Sequence, residues 1–183
     1  MFDYFKNNKK LISIEIPYVD YIRGNVFIDD LRDNFHETPY RFDVPQLMYL
    51  LYDDFLNQIK KGADNKEIAQ FLIRGKQQYF NKKVIEKRVM KQVTSNFFQF
   101  ENGQEVIEGQ NEKEKKVCLE LKIRENVLLR GEILLHDIDD YMKDEHVTIE
   151  EIFAIRYLDF IRNVKQKGNS VQVQRSILER IVR

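Results

Sequence analysis

Two charged residues one position apart, Glu120 and Lys122, form the pattern in this chain with the clearest chemical meaning. They lie in KVCLELKI, residues 116–123, where apolar and polar residues alternate as they do on a half-buried strand. A metal-dependent nuclease uses Glu-x-Lys on a strand to hold a cation and steady the scissile phosphate. An upstream carboxylate would complete that site, and Glu105 and Glu108 are the candidates by position. The same alternation is typical of any strand with one solvated face, so both interpretations stay open.

A second candidate metal site lies in LLHDIDD, where His136 and Asp140 are four residues apart. On a helix these two residues share a face and supply two metal ligands. The other histidines, His36 and His146, lie at spacings that do not complete a ligand set, so a strand end followed by a polar connection is the alternative. The single cysteine, Cys118, excludes an internal disulfide framework and is interpreted as a packed thiol.

Charge is balanced over the whole chain but segregated along it. Thirty basic residues offset thirty acidic ones, so no net field directs the protein to nucleic acid or membrane. Residues 74–91 are strongly basic, which predicts a nucleic-acid-binding surface. Alternatively, they pair with the acidic segment 132–151 in the same molecule or in a homodimer. The basic residues are Arg74, Lys76, Lys82, Lys83, Lys87, Arg88 and Lys91.

Periodicity predicts a mostly helical N-terminal part. LISIEIP alternates as a strand, and Gly24-Asn25 between two β-rich runs predicts a hairpin. Asp43 and Pro45 predict the start of a helix that Gly62 ends. A short helix is expected from Asp64, and a third helix over residues 76–93.

After Thr94 the period changes from 3.6 to 2, which predicts two hairpins. The first turns at Asn102-Gly103 and the second near Glu125-Asn126, giving a four-stranded antiparallel meander from Phe97 to Leu135. A helix with a capping box at Thr148 and Glu151, and then a terminal helix, follow. The predicted fold class is therefore α+β, with a helical domain over residues 1–93 and a sheet packed by helices over residues 94–183.

The block LISIEIPYVDYIRGNVFIDDL, followed by LMYLLYDDFLNQI, resembles the leader part of small anti-CRISPR proteins that mobile elements of low-GC bacteria carry and that inhibit Cas9. The resemblance covers residues 1–75 and is one of texture and length. It implies a non-enzymatic or weakly catalytic inhibitor that binds Cas9 or its guide RNA complex. The resemblance assigns no functional role to any individual residue.

These observations predict a phage or plasmid protein that acts in the host cytoplasm by binding Cas9 and needs no cofactor. No apolar run reaches the roughly 20 residues of a membrane span, and the N-terminus lacks the apolar region of a secretory signal. Two alternatives stay open. One is a nuclease or RNA-processing protein that uses Glu120 and Lys122 with Mg²⁺, and the other is a nucleic-acid-binding regulator.

Overall fold

The computed structural model describes residues 8–39, 41–80, 84–94, 97–106, 115–143 and 145–181, and for residues 84–106 the backbone alone. Within these ranges the chain is mostly helical, with two separate two-stranded antiparallel sheets. The strands are β1 (Lys9–Pro17), β2 (Val84–Thr94), β3 (Phe97–Val106) and β4 (Lys116–Arg124). The helices are α1 (Tyr18–Asn34), α2 (Val44–Lys60), α3 (Asn65–Tyr79), α4 (Glu125–Asp137), α5 (Ile149–Lys167) and α6 (Val171–Ile181), with a short 3-10 helix at Asp139–Tyr141.

The chain divides into two compact units. The first contains residues 1–79 and 115–183, and therefore the six helices and the β1–β4 sheet. The second contains residues 80–114, which include the β2–β3 hairpin. The sequence predicts a boundary between residues 93 and 94, whereas the first unit takes in both ends of the chain because β1 pairs with β4. None of the described helices is long and apolar enough to cross a bilayer.

Strand β4 has a different partner from the one that the sequence predicts. The alternating patterns of residues 11–17 and 116–123 are both confirmed as strands. However, β4 pairs antiparallel with β1, with Ile14 opposite Leu119, and both residues are buried. The predicted four-stranded meander is therefore wrong. The predicted turn at Glu125-Asn126 and the predicted last strand up to Leu135 lie instead in helix α4, because the buried residues Val127, Leu128, Gly131 and Leu134 follow helical spacing.

In the second unit, the predicted helix and the predicted turn are both wrong. Residues 84–94, predicted as part of a third helix, form strand β2 and pair with β3. This segment is rich in β-branched residues, which favour strands. Asn102 and Gly103 do not form the predicted turn, because they lie within β3 opposite Arg88 and Lys87.

Helix α1 replaces the hairpin predicted at Gly24-Asn25. Gly24 serves close helix packing rather than a turn, since a Cβ atom there would lie 2.1 Å from the Tyr157 hydroxyl of α5. That hydroxyl donates a hydrogen bond to the Asp20 carbonyl at 2.9 Å. Gly131 of α4 has the same role in close packing, since a Cβ atom there would lie 2.0 Å from the Tyr52 hydroxyl. Two helix glycines thus leave the space that two fully buried tyrosine side chains occupy.

Helices α2 and α5, which contact each other and form much of the core, are confirmed where the sequence placed them. The Asp43 carboxylate accepts a hydrogen bond from the Gln46 backbone at 3.0 Å and starts α2. Thr148 and Glu151 form the predicted capping box at the start of α5. Helix α5 buries nearly every side chain from Ile152 to Leu158, because other elements cover it on several sides. These elements are β1, α1, α2, α3 and α4.

The two buried tyrosines should respond to loss of the hydroxyl group in opposite directions. In the described part of the chain the Tyr52 hydroxyl has no hydrogen-bond partner, whereas the Tyr157 hydroxyl donates to the Asp20 carbonyl. We expect Tyr52→Phe to raise the free energy of unfolding by about 1 kcal/mol and Tyr157→Phe to lower it by about 1 kcal/mol. Urea denaturation of both variants measures this difference. Equal effects would contradict the assignment of these two hydroxyls.

Candidate functional site

The solvent side of helix α1 carries an apolar surface, here called the α1 outer face and formed by Tyr18, Val19, Ile22 and Val26. All four side chains are exposed, with Ile22 at 40% and Val26 at 54%. They follow the spacing that places residues on one side of a helix. The opposite side of α1 is buried through residues such as Phe27, Ile28 and Leu31. Helix α1 is thus apolar on two sides, and contiguous exposed apolar surface commonly marks a binding site.

The sequence prediction missed this surface because it treated Gly24-Asn25 as a turn. A helical interpretation of residues 18–34 separates two apolar stripes, one through Val19, Ile22 and Val26 and one through Phe27 and Leu31. One stripe is needed for the core. The second stripe was the signal for an outward-facing apolar surface.

Glu120 and Lys122 lie on the exposed face of the β1–β4 sheet, opposite Ser13 and Leu11 respectively. Glu15 is diagonal to Glu120 on that face, and it pairs with Lys116 at 3.7 Å. Cys118 is also exposed there, so its interpretation as a packed thiol is wrong.

The further carboxylates named for the nuclease site lie elsewhere in the chain. Glu105 belongs to β3 of the second unit, and Glu108 is outside the described residues. Among the residues that the structure describes, no three potential metal ligands come together, around Glu120 or elsewhere.

His136 and Asp140 do not lie on one helix as the metal hypothesis requires. Helix α4 ends at Asp137, and Asp140 belongs to the short 3-10 helix that follows. The His136 side chain is 89% exposed, and its nearest acidic group is the Asp137 carboxylate at 3.9 Å. The described part of this segment holds no group of three metal-binding side chains.

The basic residues predicted to bind nucleic acid are divided between the two units. Arg74 and Lys76 belong to α3, whereas Lys87, Arg88 and Lys91 belong to β2. Lys82 and Lys83 lie outside the described residues.

Lys76 is already paired within the molecule. Its ammonium group donates to the His146 carbonyl and lies 3.3 Å from the Glu151 carboxylate. The alternative that the basic segment pairs with the acidic one therefore holds for Lys76. For the other basic residues, nucleic-acid binding stays a prediction.

A polar cleft of about 310 Å³, here called the cationic cleft, opens between α1, α3 and α5 of the first unit. Arg23, Arg162 and Lys165 give it three positive charges, and Asp20 is the carboxylate in its wall. Arg23 pairs with Asp20 at 2.7 Å. Its remaining lining residues are Tyr79, Leu158 and Gln166.

Tyr79 lines this cleft together with Arg162. Burial raises the pKa of the Tyr79 hydroxyl, and the neighbouring Arg162 guanidinium acts against that rise. The sequence did not predict this cleft, because Arg23 of α1 is far in the chain from Arg162 and Lys165 of α5.

Comparison with known proteins does not assign the chain to a family. No protein-family model matches it, and neither a search of curated proteins nor a search of solved structures finds a match. The function therefore has to be argued from the surfaces described above.

Proposed function

We propose that this protein acts by binding, as a mobile-element inhibitor of a host nucleoprotein, with type II Cas9 or its guide RNA complex as the target. The observation that carries the proposal is the α1 outer face, where Val19, Ile22 and Val26 are exposed on one side of a helix. Apolar and aromatic groups of this kind anchor protein interfaces. The surface lies within the block, residues 11–31, that resembles anti-CRISPR proteins.

A second observation favours binding over catalysis. The exposed face of the β1–β4 sheet places Glu120 beside Lys122 and Ser13, without a third metal ligand among the described residues. Such a face has the opposite charges and strand-edge lysines of an ordinary solvated sheet. The nuclease alternative depends on a complete cation site, whereas the binding proposal needs only a surface.

One incubation series tests the proposal. The protein is mixed with guide RNA alone, with Cas9 alone, and with the assembled Cas9 complex plus target DNA, each with and without Mg²⁺. We expect guide RNA to stay intact in every tube and cleavage of the target DNA to fall in the assembled reaction with Mg²⁺. Gel electrophoresis of both nucleic acids measures the outcome.

The same series separates the alternatives. Loss of guide RNA without Cas9 would support the nuclease, provided that Glu120→Ala abolishes this loss while Glu15→Ala, on the same sheet face, does not. Unchanged target cleavage in the assembled reaction would contradict the inhibitor proposal for that Cas9. Binding of RNA without cleavage, with an affinity that falls steeply as salt increases, would favour the nucleic-acid-binding regulator.

A further inference from the structure

We propose that the cationic cleft binds a small phosphorylated ligand of the nucleotide class. The cleft borders the α1 outer face, since Arg23 is three residues from Val26 on the same helix, but this proposal does not depend on the proposed inhibition. Arg162 and Lys165 are three residues apart on α5, so they lie on the same side of that helix. Arg23 of α1 brings a third positive charge to the same cleft. Clusters of arginine and lysine recognise carboxylate and phosphate groups, and a phosphate group brings the higher negative charge to a site with three cations.

The positive charge in this cleft is only partly neutralised. Arg23 has the Asp20 carboxylate, and Arg162 donates a 2.6 Å hydrogen bond to the neutral amide oxygen of Gln78. Lys165 forms no ion pair or hydrogen bond with any described residue. Asp159 is close enough to raise the pKa of Tyr79, but it does not line the cleft. All three cations therefore keep N–H donors for a ligand, and neither Arg162 nor Lys165 forms an ion pair with a described carboxylate.

The end of a helix does not by itself account for this cluster. Cations in the last turn of α5 interact favourably with the helix dipole, which explains Lys165 and Lys167. Arg162 lies earlier in the same helix, and Arg23 comes from a different helix. Their convergence on one cavity with Lys165 is what a binding site for an anion requires.

The cleft also offers a surface for the body of the ligand. Tyr79 and the buried Leu158 form its apolar wall beside the three cations. An aromatic ring stacks on nucleobases, and the stacking tolerates any base. A volume of about 310 Å³ is at the lower end of the range for small-molecule pockets, which suits a mononucleotide.

Titration of the full chain with AMP, adenosine, inorganic phosphate and a short RNA oligonucleotide tests the proposal by isothermal calorimetry. We expect AMP to bind at least about tenfold more tightly than adenosine, because the phosphate contacts the cations. Arg162→Gln combined with Lys165→Gln should weaken AMP binding by about tenfold or more. The control, Lys61→Gln combined with Arg130→Gln, removes the same two charges from exposed positions outside the cleft and should leave AMP binding unchanged.

Several outcomes would overturn the proposal. Absence of AMP binding up to about 10 mM would do so, as would equal weakening by the cleft and control variants. Phosphate that binds as tightly as AMP would show that the cleft takes a free anion and not a nucleotide. Binding of the RNA oligonucleotide without AMP would show that the cleft belongs to a polymer-binding surface instead. Urea denaturation of both variants confirms that each one is folded.

Discussion

Under the proposed inhibition of Cas9, a variant with Ile22→Glu and Val26→Lys should bind Cas9 about a hundredfold more weakly than the wild-type protein and should lose inhibition at matched concentration. Both side chains belong to the α1 outer face, and both are exposed, so the change removes apolar contact area without opening a cavity. The new residues are four apart with Glu first, which is the order that supports a helix. Surface plasmon resonance on immobilised Cas9 complex measures the affinity.

The matched control lies on helix α4. Leu129 and Ile133 are also four apart and exposed, at 40% and 63%, so Leu129→Glu with Ile133→Lys makes the same chemical change on another helix. We expect this variant to inhibit as well as the wild type. Equal loss in both variants, or retained affinity in the α1 variant, would exclude the α1 outer face as the binding surface.

Phe153→Ala should lower the free energy of unfolding by about 3–5 kcal/mol, a large fraction of the stability of a small protein. The Phe153 side chain is fully buried in α5, and its ring stacks on Tyr52 of α2 with centroids 3.9 Å apart. Removing it costs both the transfer of the ring from water and the cavity left between the two helices. Urea denaturation followed by circular dichroism measures the loss.

Ile133→Ala provides the comparison for Phe153→Ala, since it removes an apolar side chain from an exposed helix position. Its effect should stay within about 0.5 kcal/mol. A loss below about 1 kcal/mol for Phe153→Ala would contradict the placement of α5 at the centre of the core.

The sequence predicted correctly the helices and strands that are determined by capping residues and by the period of their apolar residues. Asp43 and Pro45 marked the start of α2, because the Asp43 side chain accepts a hydrogen bond from a free backbone N–H group and Pro45 has no N–H group. Thr148 and Glu151 marked the start of α5, because their side chains accept hydrogen bonds from each other's backbone N–H groups. The alternation in residues 11–17 and 116–123 identified β1 and β4 for a similar reason, since period 2 places one face of each strand in the core.

Long-range packing determined the features that the sequence prediction missed. Gly24 is a glycine because Tyr157 needs the space, and Gly131 because Tyr52 does, but both were interpreted as parts of hairpins. The sequence prediction paired β4 with strands next to it in the chain, whereas its partner β1 lies about a hundred residues earlier in the chain. The cationic cleft depends on the same kind of distant contact, since Arg23 and Arg162 meet only after α1 packs beside α5.

The pairing of β1 with β4 also sets an order of events during synthesis. Strand β1 leaves the ribosome before its partner strand, since Glu120, which pairs with Ser13, follows it by more than a hundred residues. At the usual rate of about 5–20 residues per second, Ile12, Ile14 and Ile16 wait for at least several seconds without the strand that covers their edge. Until residues 116–124 emerge, β1 lacks the strand that pairs with it, and an apolar strand with an unpaired edge is prone to aggregate.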